Sequence, residues 1–272
     1  MKILLAALIV LICTYIVLRI LSFIRSDSEQ IDNDNPYLHP EVAERVLPEN
    51  MVHYVAIMPN PPNRKKSFYE KFIKRIGDSI VSYLGLVILS PVFLAILIAI
   101  KIDDPGPACF TQNRVGKDNK FFRLHKFRSM KISTPHDIPT HLLENPDQYI
   151  TKVGKFLRKH SLDELPQIWD IFRGKMSIIG PRPALWNQAD LVYEREKMGV
   201  NGLSPGLTGL AQINGRDELE IPEKVRYDSR YLERISFGFD VKCFFGTIGS
   251  VIKSDGIVEG NIAEKQHEKA KK

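Results

Sequence analysis

Two apolar runs dominate the pattern of hydrophobic and polar positions along the chain. The first, Ile3 to Ile24 (ILLAALIVLICTYIVLRILSFI), is broken only by Arg19 near its end. Its length matches what a helix needs to cross a bilayer, so it predicts an N-terminal transmembrane anchor over residues 1–25. A cleaved signal peptide is the competing reading, but no small-x-small site follows the run before Arg25. The second run, Ile76 to Ile100, is preceded by Arg64, Lys65, Lys66, Lys71, Lys74 and Arg75 and followed by Lys101, Arg114, Lys117 and Lys120. Pro91 sits in its middle, where it removes a helix hydrogen bond and favours a kink. Cationic flanks on both sides place both ends in the cytoplasm. A re-entrant segment over residues 68–101, bent at Ser90 and Pro91, satisfies both constraints; a kinked spanning helix is the alternative.

The rest of the chain is polar and of mixed pattern. Residues 26–63 are acidic and proline-rich, which predicts a linker with one short helix over Pro40 to Val46. Asp103 to Pro107 is a turn signal. The β-prone runs Ala108 to Asn113 and Lys120 to Arg128, separated by Gly116-Lys117-Asp118-Asn119, predict a hairpin. Lys131 to Tyr149 has no clear period and reads as an ordered loop or lid. A charged helix is expected over Leu185 to Lys197. Pro205 to Gly209 predicts a tight loop leading into a strand at Leu210 to Ile213 and a turn ending at Arg216. Val241, Phe244, Phe245, Ile248 and Ile252 share one helical face; a core helix would show the same pattern, but the aromatic-rich face on a membrane-attached chain favours a helix lying at a membrane interface. Residues 261–272 read as a charged tail. The class is α+β: a small membrane-associated domain over residues 64–260, with a re-entrant helix, a β-hairpin and interfacial helices, behind a transmembrane helix.

Composition narrows the partners without choosing among them. The formal charge is +6, which suits anionic lipid, nucleic acid or a phosphorylated substrate. Cys13, Cys109 and Cys243 are widely spaced and odd in number, which argues against a disulfide framework or a zinc site and fits a reducing compartment. The glycine-rich 205–209 loop lacks the Walker lysine and the dinucleotide fingerprint, so neither an ATPase nor a dehydrogenase is indicated. His125, His136, His141 and His160 show no ligand spacing and read as structural.

Candidate chemistry concentrates in Arg158 to Pro183, RKHSLDELPQIWDIFRGKMSIIGPRP. Ser161 followed by Glu164 is a capping-box signature, predicting a helix that starts at Ser161 and runs to about Phe172. Asp163 and Glu164 would then stand in its first turn, a seat for a phosphate. Two carboxylates beside a phosphate call for a divalent cation, and Mg²⁺ is the usual one. Acids in a first turn also simply stabilise a helix, which is the favoured reading for Glu164 taken alone. Asp163, flanked by Arg158, Lys159 and Arg182 and not needed by the capping box, favours a site role. Lys126 and Arg128 alternate with Phe127, so both cations are expected on one strand face, where they could meet phosphate oxygens or simply be solvated surface charge. Pro181 and Pro183 restrict Arg182 on either side, as a phosphate clamp requires, although these residues alone fit a simple turn equally well.

Five blocks in order carry a resemblance to the bacterial sugar transferases, also called monotopic phosphoglycosyl transferases. They are KRIGDSIV…LSP (Lys74 to Pro91), FTQNRVGKDNKFFRLHKFRSM (Phe110 to Met130), LDELPQ, GPRP, and PGLTGLAQINGR (Pro205 to Arg216). The resemblance, running from about Phe68 to about Gly260, implies a UDP-sugar donor, undecaprenyl phosphate as acceptor, Mg²⁺ on Asp163 and Glu164, and an aspartyl-phosphosugar formed on Asp163. It also implies phosphate or nucleotide contacts from Lys126, Arg128, Arg158, Pro181, Arg182, Pro183 and Arg216. The bend at Ser90 and Pro91 would confine the protein to one leaflet of the bacterial inner membrane, with the site facing the cytoplasm and lipids, not nucleic acid, around it. Whether the chain forms a homodimer stays open. A basic interaction protein without chemistry is a second reading, but it leaves the carboxylate pair among arginines unexplained. A glycosyltransferase releasing UDP is a third, and it would ordinarily bring a Rossmann-like nucleotide domain that the pattern does not show.

Overall fold

The bend in the second apolar run follows from one residue's missing donor. A computed structural model describes residues 11, 14–15, 34–134, 148–215 and 219–253. In it, a π-helical turn at Tyr69–Ile73 leads into α3 (Lys74–Ile88), and α4 (Ser90–Asp103) follows at once. Pro91 lies in the first turn of α4, where its absent N–H costs nothing, so the chain re-initiates a helix there instead of continuing the old one. The helical stretches Tyr69–Ile88 and Ser90–Asp103 meet at 60°. Ser90, fully buried, donates to Val87 O at 2.8 Å and satisfies one carbonyl freed by the break. Among the described residues no single helix is long and apolar enough to cross a membrane. The anchor expected over residues 1–25 lies outside the described residues except for Leu11, Thr14 and Tyr15, as do most of the 131–149 loop, Arg216 and the 261–272 tail.

The architecture is α+β. The expected hairpin is present: β1 (Cys109–Val115) pairs antiparallel with β2 (Phe121–Phe127), with Cys109 opposite Phe127 and Val115 opposite Phe121. Asp118 and Asn119, both at positive φ, turn the chain between them, a conformation Asp and Asn tolerate better than most. Beneath the hairpin, Phe93, Ile96, Leu97 and Ile100 of α4 join Leu86, Ala108, Phe127 and Leu157 in one buried cluster. Each of these side chains except Ala108 contributes about 1.5–3 kcal/mol on burial. α5 (Lys152–Lys159) and α6 (Gln167–Phe172) continue the chain, and α6 packs along α3.

The second half is built on a short parallel pair, β3 (Ser177–Ile179) with β4 (Gly206–Thr208). The strand expected over Leu210 to Ile213 is instead this shorter β4, followed by a 3₁₀ turn at Gln212–Asn214. Close approach explains the glycines: a Cβ on Gly209 would stand 2.1 Å from Gly180 O, and one on Gly206 would stand 2.1 Å from Gly180 N. Helices α7 (Ala189–Lys197), α8 (Ile221–Glu233) and α9 (Phe237–Lys253) complete this half. Asp240 of α9 accepts from Tyr231 at 2.7 Å, from Tyr69 at 2.7 Å and from Lys74 at 2.6 Å, tying α9 to α8 and to the start of α3.

Residues 34–58 are not a free tether. The expected helix near Pro40–Val46 is present as a 3₁₀ turn and α1 (Ala43–Val46), and a second helix, α2 (Glu49–Ala56), follows it. Ala43, Leu47 and Val55 bury against Ala189 of α7 and the partly buried Trp186. Asn35, fully buried, donates to Asn119 O at 2.9 Å, and Tyr37 donates to Trp186 O at 2.9 Å. Apolar residues spaced among acids and prolines gave little periodic signal, because these helices are too short to show one.

The glycine contact yields a direct check. Gly209→Ala should lower stability by about 1–3 kcal/mol, the usual cost of overpacking. For a domain of this size that is roughly a 2–4 °C fall in Tm per kcal/mol. An unchanged melting curve would show that Gly180 and Gly209 do not approach as described.

Candidate active site

Lys152 to Phe172 contains the acids, and its local geometry differs from the capping-box expectation. Thr151 caps α5, accepting from Gly154 N at 2.9 Å. The chain then turns at Ser161, which sits at φ 54° and makes no side-chain cap. Leu162–Glu164 form a single 3₁₀ turn, and α6 begins only at Gln167. Pro166 is the reason: it has no N–H to offer Leu162 O, so an α-helix begun at Ser161 would lose its bond there. Asp163 and Glu164 therefore stand on a tight turn between two helices, not at the N-terminus of a long one. The phosphate seat expected from a helix dipole is replaced by side-chain charge.

That charge is concentrated. Asp163 and Glu164 are both buried, 9% and 7% exposed. Lys126 Nζ, from β2, lies 3.0 Å from Glu164 Oε1 and 3.8 Å from Asp163 Oδ2. Arg182 Nη2 lies 2.9 Å from the same Glu164 Oε1. Burial pushes the Asp163 carboxyl above the usual range, and the Glu164 carboxylate pushes the same way, while Lys126, Arg158 and Arg182 pull it back. The structure thus brings together Asp163, Glu164, Lys126 and Arg182, with Arg158 of α5 in electrostatic reach.

Arg128 is placed differently. The strand ends at Phe127, Arg128 N bonds Ala108 O at 2.9 Å, and the buried guanidinium turns to Asp104, whose backbone carbonyl accepts from Nη2 and whose Oδ2 lies 3.5 Å away. Arg128 thus closes the end of α4 onto the hairpin instead of sharing a charged face with Lys126. Arg216 lies outside the described residues, as do His136 and His141.

Pro181 and Pro183 do more than restrict φ. Prolines offer no N–H, so the main chain of this loop is held through its carbonyls. Pro181 O accepts from Gly206 N at 2.8 Å, Arg182 O from Arg195 Nη1 at 2.8 Å, Pro183 O from Arg114 Nη1 at 3.0 Å, and Ala184 O from Val115 N at 2.9 Å. Four consecutive acceptors are taken by donors from β4, α7 and β1. Sequence reasoning did not single out Arg195 or Arg114 for this.

A further pair was read only in part. His125 Nδ1 lies 2.6 Å from Asp170 Oδ1, and His125 N donates to Asp170 Oδ2 at 3.0 Å, both residues being buried. Burial raises the Asp170 carboxyl and the imidazole opposes it. One carboxylate of α6 thereby fixes the strand position next to Lys126, which gives the structural reading of His125 a definite partner. His160, also expected to be structural, is exposed with Nδ1 2.9 Å from Phe156 O.

Two adjacent buried carboxylates are a donor set that fits Mg²⁺, which commonly takes one or two carboxylates and completes its shell with water and substrate oxygens. Among the described residues no group of three or more His, Cys, Asp or Glu forms a metal cluster, so any ion here would depend on substrate ligands.

Comparison with known proteins places the sequence. A family model described as bacterial sugar transferase matches residues 69–254. The chain is 41% identical over 189 residues to the UDP-glucose:undecaprenyl-phosphate glucose-1-phosphate transferase of Escherichia coli (strain K12), covering 65% of this chain and 40% of that protein. It is 37% identical over 192 residues to the UDP-N-acetylgalactosamine-undecaprenyl-phosphate N-acetylgalactosaminephosphotransferase of Aeromonas hydrophila, covering 68% of this chain and 45% of that protein. It is 34% identical over 197 residues to the exopolysaccharide production protein ExoY of Rhizobium meliloti (strain 1021), covering 67% of this chain and 87% of that protein. The chain thus spans less than half the length of the first two of these relatives.

Asp170→Asn provides a test of the site's frame. It keeps one acceptor and loses the other, leaving a His125 donor unpaired in the interior, at a cost of about 1–3 kcal/mol. Thermal unfolding should show a drop of several degrees. No drop would mean that the carboxylate does not hold the strand.

Proposed function

We propose, from the premise that the chain belongs to the bacterial sugar transferase family, that it moves a sugar-1-phosphate from a UDP-sugar to undecaprenyl phosphate and releases UMP. The observation that carries the reading is the division of labour between the two acids. Glu164 receives the short contacts from Lys126 and Arg182, whereas Asp163 Oδ2 stands 3.8 Å from the same ammonium. A carboxylate that is buried, surrounded by cations and not tightly paired is suited to attack phosphorus.

In the first step an Asp163 oxygen attacks the phosphorus bearing the sugar. An O–P bond to the enzyme forms, the bond to the bridging oxygen breaks, and UMP departs with that oxygen and its electron pair. In the second step a phosphate oxygen of undecaprenyl phosphate attacks the same phosphorus, the Asp163–P bond breaks, and the carboxylate is regenerated. The product is polyprenyl-diphosphate-sugar, the committing step for a bacterial glycan such as an exopolysaccharide. Lys126, Arg158 and Arg182 stabilise the negative charge that shifts among the oxygens. Mg²⁺ held by Asp163, Glu164 and substrate oxygens would supply further neutralisation of the diphosphate. The relatives named above carry different sugars in their names, so the donor sugar is not assigned.

The same reading accounts for the outer surface. The bent pair is a re-entrant hairpin in the cytoplasmic leaflet: Ile76, Ile80, Leu84 and Ile88 of α3 are exposed, and basic residues flank both ends. Phe237, Phe244, Phe245 and Ile248 of α9 are exposed as well, while Asp240 and Cys243 on its other face are buried. The rings of Tyr69 and Phe237 lie 6.4 Å apart, so the two apolar surfaces adjoin and suit one lipid interface. A site on this side of the bilayer meets a lipid-borne phosphate at its own depth.

Two experiments test the proposal. Enzyme given a UDP-sugar without acceptor should release about one UMP per active site and carry the sugar phosphate as a mass adduct, the stoichiometry of covalent catalysis. Asp163→Asn should abolish both. An adduct persisting in that variant rules out Asp163, and UMP release that strictly needs acceptor favours direct transfer. For topology, single cysteines at the exposed positions Ser67 and Asp118, in a background without native cysteines, should both resist a membrane-impermeant thiol reagent applied to intact cells. Labelling of only one would show that the apolar run spans.

A further inference from the structure

We propose that Arg195, anchored by Asp228, is a positioning residue for Arg182, and this rests on the reading of Arg182 as a phosphate-binding side chain. Arg195 is 5% exposed and Asp228 1%. Arg195 Nε and Nη2 both donate to Asp228 Oδ2, at 3.0 and 2.7 Å, and the third nitrogen, Nη1, donates to Arg182 O at 2.8 Å. Every nitrogen of the guanidinium is therefore engaged, and one edge grips the backbone of the residue whose side chain reaches Glu164.

A buried ion pair by itself is poor support for stability, because desolvation offsets most of its attraction and apolar replacements often do as well. What an apolar pair would not provide is a donor for Arg182 O. Neither neighbour of Arg182 has an N–H, so the loop cannot be secured by main-chain donors at Pro181 or Pro183. The planar fork holds Asp228 and the carbonyl at once, in a fixed relative direction; an ammonium on a flexible stem does not impose that geometry. The consequence falls on Arg182, since displacements of about 1 Å at a positioning contact cost on the order of 10²-fold in rate.

The test is a double-mutant cycle read in kcat/KM for UMP release from a UDP-sugar. Arg195→Lys should lower kcat/KM about 10- to 100-fold in the wild-type background, by the loss of positioning. In an Arg182→Ala background, where the backbone stays and the positioned side chain is gone, the same change should cost less than about twofold, the non-additivity expected of residues acting as one unit. A purely structural role makes the two losses multiply, and that result overturns the inference, as does an undiminished kcat/KM for folded Arg195→Lys. If Arg195→Lys does not fold, as judged by circular dichroism, Asp228→Asn takes its place in the cycle with the same two outcomes. Failure of the underlying reading looks different: no UMP release by the wild type, or full activity of Arg182→Ala, removes both the reading and the inference built on it.

Discussion

The arrangement at the centre of this molecule depends on a loop with few N–H groups of its own: Gly180 N donates to Thr208 O at 2.8 Å, but Pro181 and Pro183 have none to give. Gly180-Pro181-Arg182-Pro183 must present a guanidinium to a buried carboxylate, yet two of its four residues have no donor. The fold resolves this by supplying donors from outside to four successive carbonyls, 181 to 184. Two of those donors come from backbone, in β4 and β1, and two from arginines, in β1 and α7. The short parallel pairing of β3 with β4, the glycines at 206 and 209, and the placement of α7 against α8 can each be understood as conditions for those four bonds.

The same logic recurs on the acidic side. Asp163 and Glu164 are held in a turn too short to provide a helix N-terminus, so the charge that stabilises them arrives on side chains from β2, α5 and the proline-flanked loop. Asp170 keeps β2 in register with α6 through His125, and Arg128 keeps β2 on the end of α4 through Asp104. The two faces of the site are thus braced by buried polar contacts, each of which is costly to leave half made. That is a reason for the rigidity of a site that gathers two buried carboxylates and several cations in one place.

Much of this was legible from the residues. The hairpin, the bend at Ser90 and Pro91, the charged helix expected over Leu185 to Lys197 and present over Ala189–Lys197, and the amphipathic C-terminal helix followed from turn chemistry and periodicity. Asp163, Glu164, Lys126 and Arg182 were picked out by clustering of unlike charges near rigid residues. The capping-box reading failed because Pro166, five residues on, outweighed a local signature. Arg128 misled because strand alternation does not say where a strand ends. Arg195 and Asp228 carry a signal in the sequence too: each is a charge on the buried side of its helix, Arg195 three residues after Val192 and Asp228 between Val225 and Leu232. Opposite charges at core positions of two helices are a pairing hypothesis in themselves.

The packing of residues 34–58 has a consequence for how the unit of descent relates to the unit of folding. The family match begins at residue 69, but Ala189 and Trp186 find part of their cover in Ala43, Leu47 and Val55, upstream of it. Here the region that matches the family is covered in part by chain upstream of it, so its boundary read by homology falls short of its boundary as a solvent-sealed object. A chain begun at residue 69 would keep every residue of the site and expose an apolar patch beside the loop that holds Arg182.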